Sequence, residues 1–338
     1  MRRTAAILLA FALAPGLWWR TDLPPEDHDA PVTIERLAGV AEQGGTLAWE
    51  AGWVLDSRRP RFGGYSALVS LGPSGLLAAS DGGQLLFVSL SGGAPVAARI
   101  EPFIRRGGPE MKRAFDLEAL ARDPRDGTLW LAAERSNLVL RFDAALRPTG
   151  RAAPQAMAGW RNNGGAEAMT RLADGRFVVL QEAASRRLGD EHRGLMFAGD
   201  PTDPATPAPL AFRFLPPGGY SPVDLAQLPD GRVLVLLRRV TWPLPPLFAS
   251  ALAVADPAAI RRDGLWSAQR LPWNPAWPRE NFEGLAVQPH PSGGLRVWLI
   301  ADDNEMQRWQ RTLLVALHWR PQHAPGQAKG ARSPAARP

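Results

Sequence analysis

Four carboxylates recur at one position of an internal repeat in this sequence of 338 residues, and a serine takes that position in the first repeat. The column reads Ser66, Glu118, Glu167, Asp224 and Glu283, at spacings of 52, 49, 57 and 59 residues. Each member stands inside a short apolar stretch, where an acidic side chain is costly unless its charge is offset. If the repeats close into a ring, these side chains meet around its axis, so the sequence predicts a ring of carboxylates.

A second column of mostly acidic residues follows the first by 14 to 19 residues: Asp81, Glu134, Glu182, Arg238 or Arg239, and Asp302 with Asp303. Like charges crowded in this way raise one another's pKa unless a counter-charge is present. A hard divalent cation is one remedy, and because both columns lack His and Cys they favour Ca²⁺ over zinc or copper. The other remedy is arginine, which neutralises the ring or binds an anionic group bidentately; the arginines in question are Arg135, Arg238 and Arg239.

Five strand–turn–strand units carry these columns. Asp-Gly or Ser-Gly pairs stand between the two apolar runs of each unit, and Gly adopts positive φ at no steric cost. A further strand usually follows, as at residues 85–90 and 138–142. Repeats near 50 residues with three or four strands are typical of propeller blades. The sequence predicts an all-β propeller with five motif-bearing blades, in which residues 32–40 and 46–55 either close the last blade or form a sixth.

The composition excludes several classes of protein. Gly and Pro number 33 each, which fits short strands and tight turns, and there is no Cys to form disulfides, thiolate zinc sites or thiol nucleophiles. The net charge is +6, but no basic run interleaved with aromatic residues appears, so no nucleic-acid partner is expected. A monomer is expected, and His192 is expected on a solvated loop.

The two ends of the chain differ from the domain expected over residues 30–320. Within residues 1–25, Arg2 and Arg3 precede an apolar run at 5–17 that is typical of a secretory signal. Trp18 and Trp19 fit an uncleaved anchor tethered to a membrane equally well. Either reading predicts a periplasmic or secreted protein. Residues 321–338 are mostly Pro, Ala, Gly and basic residues, a composition that predicts a disordered tail.

The same segments resemble the phytase-like family described by "esterase-like activity of phytase". The matching stretches are RFGGYS at 61–66, FDLEAL at 115–120, NNGGAEA at 162–168, YSPVDL at 220–225, LPDGR at 228–232 running to the Arg pair at 238–239, and NFEGL at 281–285 followed by ADDN at 301–304. They cover most of residues 60–319 in order. The resemblance implies a propeller with recurring Glu and Asp and a phosphoesterase or esterase activity.

Together these features predict a metal-dependent hydrolase acting on an anionic small-molecule ester. The expected Ca²⁺ ligands are Glu118, Glu167, Asp224 and Glu283; the expected proton acceptors are Glu134, Glu182 or Asp302; and the expected substrate-binding groups are Arg135, Arg238 and Arg239. A cation would polarise the phosphoryl oxygen and lower the pKa of a bound water. Two alternatives stay open: a non-catalytic propeller that binds a ligand or protein and holds a structural ion, and a sugar-lactone hydrolase.

Overall fold

The structure, a computed structural model, describes residues 27–40, 45–103, 117–160, 164–184, 190–243, 246–304, 306 and 310–321. The predictions made for residues 1–25 and for the tail from residue 322 onward lie outside these ranges. No helix in the described ranges is long and apolar enough to cross a membrane. The described 3₁₀ helices are Gln155–Met157 and Pro257–Ala259, and the other regular elements are strands.

The strands form five sheets, each with its innermost strand nearest a common axis. Blade 1 contains β3 (Tyr65–Ser70), β4 (Gly75–Ser80), β5 (Gln84–Ser91) and β6 (Ala94–Pro102). Blade 2 contains β7 (Leu117–Arg122), β8 (Leu129–Ala133), β9 (Leu138–Phe142) and β10 (Pro148–Ala152). Blade 3 contains β11 (Ala166–Arg171), β12 (Phe177–Ala184), β13 (His192–Phe197), β14 (Leu210–Leu215) and the distant β18 (Leu265–Ser267).

Blade 4 contains β15 (Ser221–Gln227), β16 (Val233–Pro243), β17 (Pro246–Ala255) and β19 (Gln269–Arg270). Blade 5 contains β20 (Asn281–Pro289), β21 (Leu295–Asp302), β22 (Leu313–Trp319), and then β2 (Leu47–Asp56) and β1 (Thr33–Arg36) from the beginning of the domain. The inner strands β3, β7, β11, β15 and β20 contact one another in that order, and β20 returns to β3. The predicted all-β, five-bladed propeller is therefore confirmed.

The two ends of the domain close the ring inside blade 5. β2 pairs antiparallel with β22, and β1 pairs with the outer side of β2. Trp53 of β2 packs against Trp298 of β21 with ring centroids 5.8 Å apart, and both side chains are buried. Such pairing covers edges that would otherwise be exposed. Of the two arrangements predicted for the N-terminal strands, closure of the last blade is correct and a sixth blade is wrong.

Apolar contacts between neighbouring blades form the core. β21 is buried along its whole length, as in a sheet covered on both faces. β18 adds an interlock of its own, because it follows β17 of blade 4 in the chain yet pairs parallel with β14 of blade 3. Its Trp266 is 1% exposed and packs on Phe212 and Phe214. This packing holds the inner strands, and with them the charged columns, at a fixed register.

Two histidines stack in blade 5, with His290 and His318 ring centroids 3.8 Å apart. Burial and the neighbouring His318 lower the pKa of His290. A base whose pKa is lower in the folded state stabilises the fold above its unfolded pKa, and that stability is lost as the pH falls through the lowered value. We expect the melting temperature to fall as the pH drops below the ordinary imidazole pKa of about 6.5, and to fall less in His318→Gln. The exposed His28→Gln is the control, and equal slopes in both variants would contradict the expectation.

Candidate functional site at the acidic end of the channel

A β-bulge interrupts the pairing of every inner strand near its start, and it determines where the first-column residues lie. In blades 1, 2, 3 and 5 the residue passed over by the register shift is the first-column residue itself: Ser66, Glu118, Glu167 and Glu283. In blade 4 it is Val223, so Asp224 lies one position farther along its strand. The predicted alignment of Asp224 with the three glutamates is therefore wrong by one residue.

Asp224 lies at the register of small residues in the other blades, which are Ala67, Ala119, Ala168 and Gly284. Its side chain is fully buried, and its carboxylate oxygens accept hydrogen bonds from the backbone N–H groups of Leu225 (2.7 Å) and Leu285 (2.6 Å). Burial raises the pKa of Asp224 well above its usual value, while backbone N–H donors, Leu68 among them, oppose that shift. Asp224 thus joins the inner strands of blades 4, 5 and 1.

We expect Asp224→Ala to lower the free energy of unfolding by about 2 kcal/mol, because buried backbone donors lose their acceptor. Asp230→Ala is the control, since Asp230 is exposed and bonds locally to Arg232 in the turn between β15 and β16. Urea unfolding followed by tryptophan fluorescence measures both variants. A midpoint for Asp224→Ala as close to wild type as that of the control would show that this carboxylate does not join the blades.

Arg238 lies at the centre of the acidic end, which we define as Glu118, Glu134, Glu167, Glu182, Glu283 and Asp302. Its Nη2 donates to Oε1 of Glu182 at 2.5 Å, and its Nη1 donates to Oε1 of Glu283 and to Oδ1 of Asn281, the latter at 2.9 Å. The amide of Asn281 donates in turn to Glu283 (2.8 Å) and Asp302 (3.2 Å). One guanidinium and one amide therefore connect carboxylates of blades 3 and 5.

Glu167 is a buried carboxyl group of this end with a raised pKa. Burial raises its pKa well above the usual value, and the charges of Glu118 and Glu182 raise it further, whereas Arg238 opposes the shift. Its side chain is almost fully buried, while Glu118 and Glu182 are half-buried. Burial beside like charges therefore favours the protonated form of Glu167.

Glu134 accepts hydrogen bonds from the backbone of blade 3. Its Oε1 accepts from the N–H groups of Gly164 and Gly165, the second at 2.9 Å. Gly164 has φ of 103°, which favours glycine, and a Cβ at Gly165 would lie 3.0 Å from the Cγ of Glu134. The Gly-Gly pair of blade 3 is thus explained by its close approach to the carboxylate of blade 2.

The arrangement does not fit a Ca²⁺ cage made of the four predicted ligands. Asp224 is turned to backbone donors at another register, and the guanidinium of Arg238 contacts Glu283. No group of three or more Asp, Glu or His within the described ranges is placed to hold a metal ion. In this arrangement arginine supplies the counter-charge, which is the second remedy that the sequence left open.

The remaining predicted residues lie in two places. Arg135 is exposed in the turn between β8 and β9. Arg239 is also exposed; its guanidinium carbon lies 4.7 Å from the ring centroid of Tyr220, and its Nη1 donates to the carbonyl of Gly218 at 3.1 Å. Arg238, not Arg239, therefore contacts the glutamates of the acidic end. Asp302 reaches the cluster through Asn281.

Two residues near the cluster were missed or misjudged from the sequence. Asn281 precedes its glutamate by two residues, and its place within the NFEGL stretch was the available signal. His192 is 1% exposed at the start of β13, so the expectation of a solvated loop residue is wrong. Its Nδ1 lies 3.1 Å from the carbonyl oxygen of Gln181, and burial lowers its pKa.

Fold and site together define a five-bladed propeller with a cluster of carboxylates and one arginine at one end of its channel. The model of the phytase-like family, described as "esterase-like activity of phytase", matches residues 60–305. The chain therefore belongs to this phytase-like family, as its motifs predicted. No curated protein matches the sequence.

Several solved structures are similar to this chain at low identity. The glutaminyl cyclase of Myxococcus xanthus is 14% identical, with a TM-score of 0.42 over 76% of this chain and 90% of that one. A protein of unknown function from Bacteroides caccae is 12% identical, with a TM-score of 0.35 over 69% and 67%. The Cps50 (Swd1) beta-propeller domain of Myceliophteria thermophila is 11% identical, with a TM-score of 0.36 over 88% and 98%. The five sheets of the chain itself define its fold.

Proposed function

We propose that the protein is a hydrolase of small anionic esters and that the acidic end of the channel is its active site. The observation that supports this best is the difference between two neighbouring carboxyl groups. Glu167 holds its proton because it is buried beside other acids, whereas Glu182 forms an ion pair with Arg238. A buried carboxyl group with a raised pKa suits the acid of a reaction, and an ion-paired carboxylate beside it suits the base.

In the proposed mechanism, Arg238 binds the anionic part of the ester, exchanging some of its contacts with Glu182 and Glu283 for contacts with the substrate. Glu182 then accepts a proton from the attacking water, since 27% of its side chain is exposed to solvent. Glu167 donates its proton to the departing oxygen. Asn281 holds Glu283 and Asp302 in place on the other side of the guanidinium.

A divalent cation, Ca²⁺ before others, is a second proposal for the same cluster. A hard cation beside Glu118 and Glu167 would relieve the repulsion that raises the pKa of Glu167. To take Glu283 as a further ligand, the ion would have to displace Arg238. The mechanism above uses no such ion, so the two proposals differ in their response to chelation.

The deciding experiment is hydrolysis of p-nitrophenyl phosphate, bis-p-nitrophenyl phosphate and p-nitrophenyl acetate, each assayed with EDTA and with added Ca²⁺. The acid–base proposal expects turnover that EDTA leaves unchanged. Turnover that EDTA abolishes and Ca²⁺ restores would favour the cation. Absence of turnover on all three esters in both conditions would overturn the hydrolase.

The alternative function is a non-catalytic propeller that binds a ligand or a protein partner. The observation that favours it is that carboxylates of the acidic end are hydrogen-bonded to groups of the protein itself. Glu134 bonds to backbone N–H groups, and Glu182 and Glu283 bond to Arg238. A thermal-shift series with Ca²⁺ separates the two functions, because stabilisation by the ion without any ester turnover is expected only of a structural ion.

We also propose that the protein is a monomer exported to the periplasm or the medium. The basic and apolar residues at 2–17 support export. N-terminal sequencing of the protein recovered from the envelope fraction would distinguish a cleaved signal from an anchor, and size-exclusion chromatography with light scattering would give its oligomeric state.

A further inference from the structure

A cavity of about 370 Å³ lies at the other end of the inner strands from the acidic end. Its wall is apolar: leucines two positions after the bulge in four of the blades line it, namely Leu68, Leu120, Leu225 and Leu285. The volume falls within the range of small-molecule sites and exceeds the roughly 150 Å³ that holds a benzene.

The rim of this cavity repeats with the same fivefold register as the acidic end. The residue four positions after the bulge lines the cavity in every blade, giving Ser70, Arg122, Arg171, Gln227 and Val287. Asp224 is one position after the bulge, so along the inner strand it lies between the acidic end and the rim of the cavity. The propeller therefore has one end rich in carboxylates and another that carries two arginines at equivalent positions.

Three of the four polar rim residues are engaged by neighbours. Nη2 of Arg171 lies 3.1 Å from Oδ2 of Asp123. Oε1 of Gln227 accepts from the N–H of Ala173 at 2.6 Å. The Oγ of Ser70 accepts from the side-chain amide of Gln288 at 3.0 Å.

The remaining polar rim residue, Arg122, is half-buried on β7. Within the described part of the chain its guanidinium makes no hydrogen bond or ion pair. The local charge is positive, because Asp123 is the only carboxylate among the described lining residues and Arg171 and Arg125 already contact it. A half-buried guanidinium above an apolar wall is complementary to an anion with an apolar body.

We propose that this cavity binds a small amphipathic carboxylate, with its apolar body against the leucines and its carboxylate paired with Arg122. A carboxylate is preferred to a phosphate dianion because the single uncommitted guanidinium carries one positive charge, which one carboxylate balances. None of the described cavity residues belongs to the residues proposed for ester hydrolysis, so a test of this proposal does not depend on that function.

Isothermal titration calorimetry of the full-length chain with octanoate tests the proposal, with octanamide as the neutral probe and octyl phosphate as the dianionic one. We expect octanoate to bind at one site per chain. The affinity of octanamide should be lower by about tenfold or more. Arg122→Gln should weaken octanoate binding about tenfold. Arg232→Gln should not change it, because Arg232 pairs with Asp230 in an exposed hairpin turn.

Val287→Glu is the second variant, since it places a negative charge on the rim opposite the arginines, and it should abolish octanoate binding. Melting curves show that each variant is folded, and if Arg122→Gln does not fold, Val287→Glu decides. The proposal is overturned if wild type does not bind octanoate, if either variant binds it as wild type does, or if octanamide binds equally well. Tighter binding of octyl phosphate would overturn the choice of a carboxylate ligand.

Discussion

Arg238→Gln is expected to destabilise the propeller by about 3 kcal/mol at neutral pH, because it leaves Glu182 and Glu283 without the charge that they share. The side chains of Arg238 and Glu283 are 17% and 10% exposed, so water compensates little of this loss. Chemical denaturation at neutral pH measures the effect. Arg239→Gln on the same strand is the matched control, with an expected change within about 0.5 kcal/mol, since Arg239 is exposed.

Two further measurements on Arg238→Gln separate charge repulsion from lost packing. Carboxylates that lack a counter-charge have raised pKa values in the folded state, so the variant should regain stability as the pH falls. Ca²⁺ at about 1 mM should raise the melting temperature of the variant more than that of wild type, because the cation can then take the place of the guanidinium. A loss of stability that neither acid nor Ca²⁺ reduces would show that Arg238 acts through packing alone.

The blades could be predicted from the sequence because their signals are local. Each hairpin has a Gly-containing turn between apolar runs, and the runs recur at nearly constant spacing. Closure of the ring is a long-range event, yet only two arrangements were compatible with strands at 32–40 and 46–55. The interlocking β18 was not predicted, because three residues pairing parallel with a strand fifty residues earlier leave no pattern in the sequence.

The register of blade 4 was misread for a physical reason. A bulge adds one residue to a strand, and which residue is extra depends on the hydrogen bonds of the pair, not on residue type. Aligning the acids placed Asp224 with the glutamates, whereas aligning the following leucines, with Leu225 beside Leu285, gives the observed register. The choice between Arg238 and Arg239 also depended on register. Neighbouring residues on a strand point to opposite faces, so a shift of one residue decides which arginine faces the carboxylates.

Glu182→Gln is expected to lower kcat for the ester that the protein hydrolyses by about 10²–10⁴-fold, because the proposed proton acceptor is lost while the shape of the side chain is kept. Of the three predicted proton acceptors we prefer Glu182. Glu134 accepts hydrogen bonds from two backbone N–H groups, and Asp302 is linked to Arg238 through the amide of Asn281. Glu134→Gln should therefore lower kcat less than Glu182→Gln does.

The pH profile gives a readout that a merely structural effect would not change. Burial, with the charges of Glu118 and Glu182, raises the pKa of Glu167, so a reaction that needs its proton loses rate as the pH rises through that value. Glu167→Gln should remove this alkaline decline together with most of the activity. Glu101→Gln is the control for charge removal, because Glu101 lies on the outer strand β6 with its side chain 44% exposed. The proposed roles of acid and base would be wrong in either of two cases: if Glu134→Gln lowered kcat more than Glu182→Gln does, or if Glu167→Gln kept the alkaline decline.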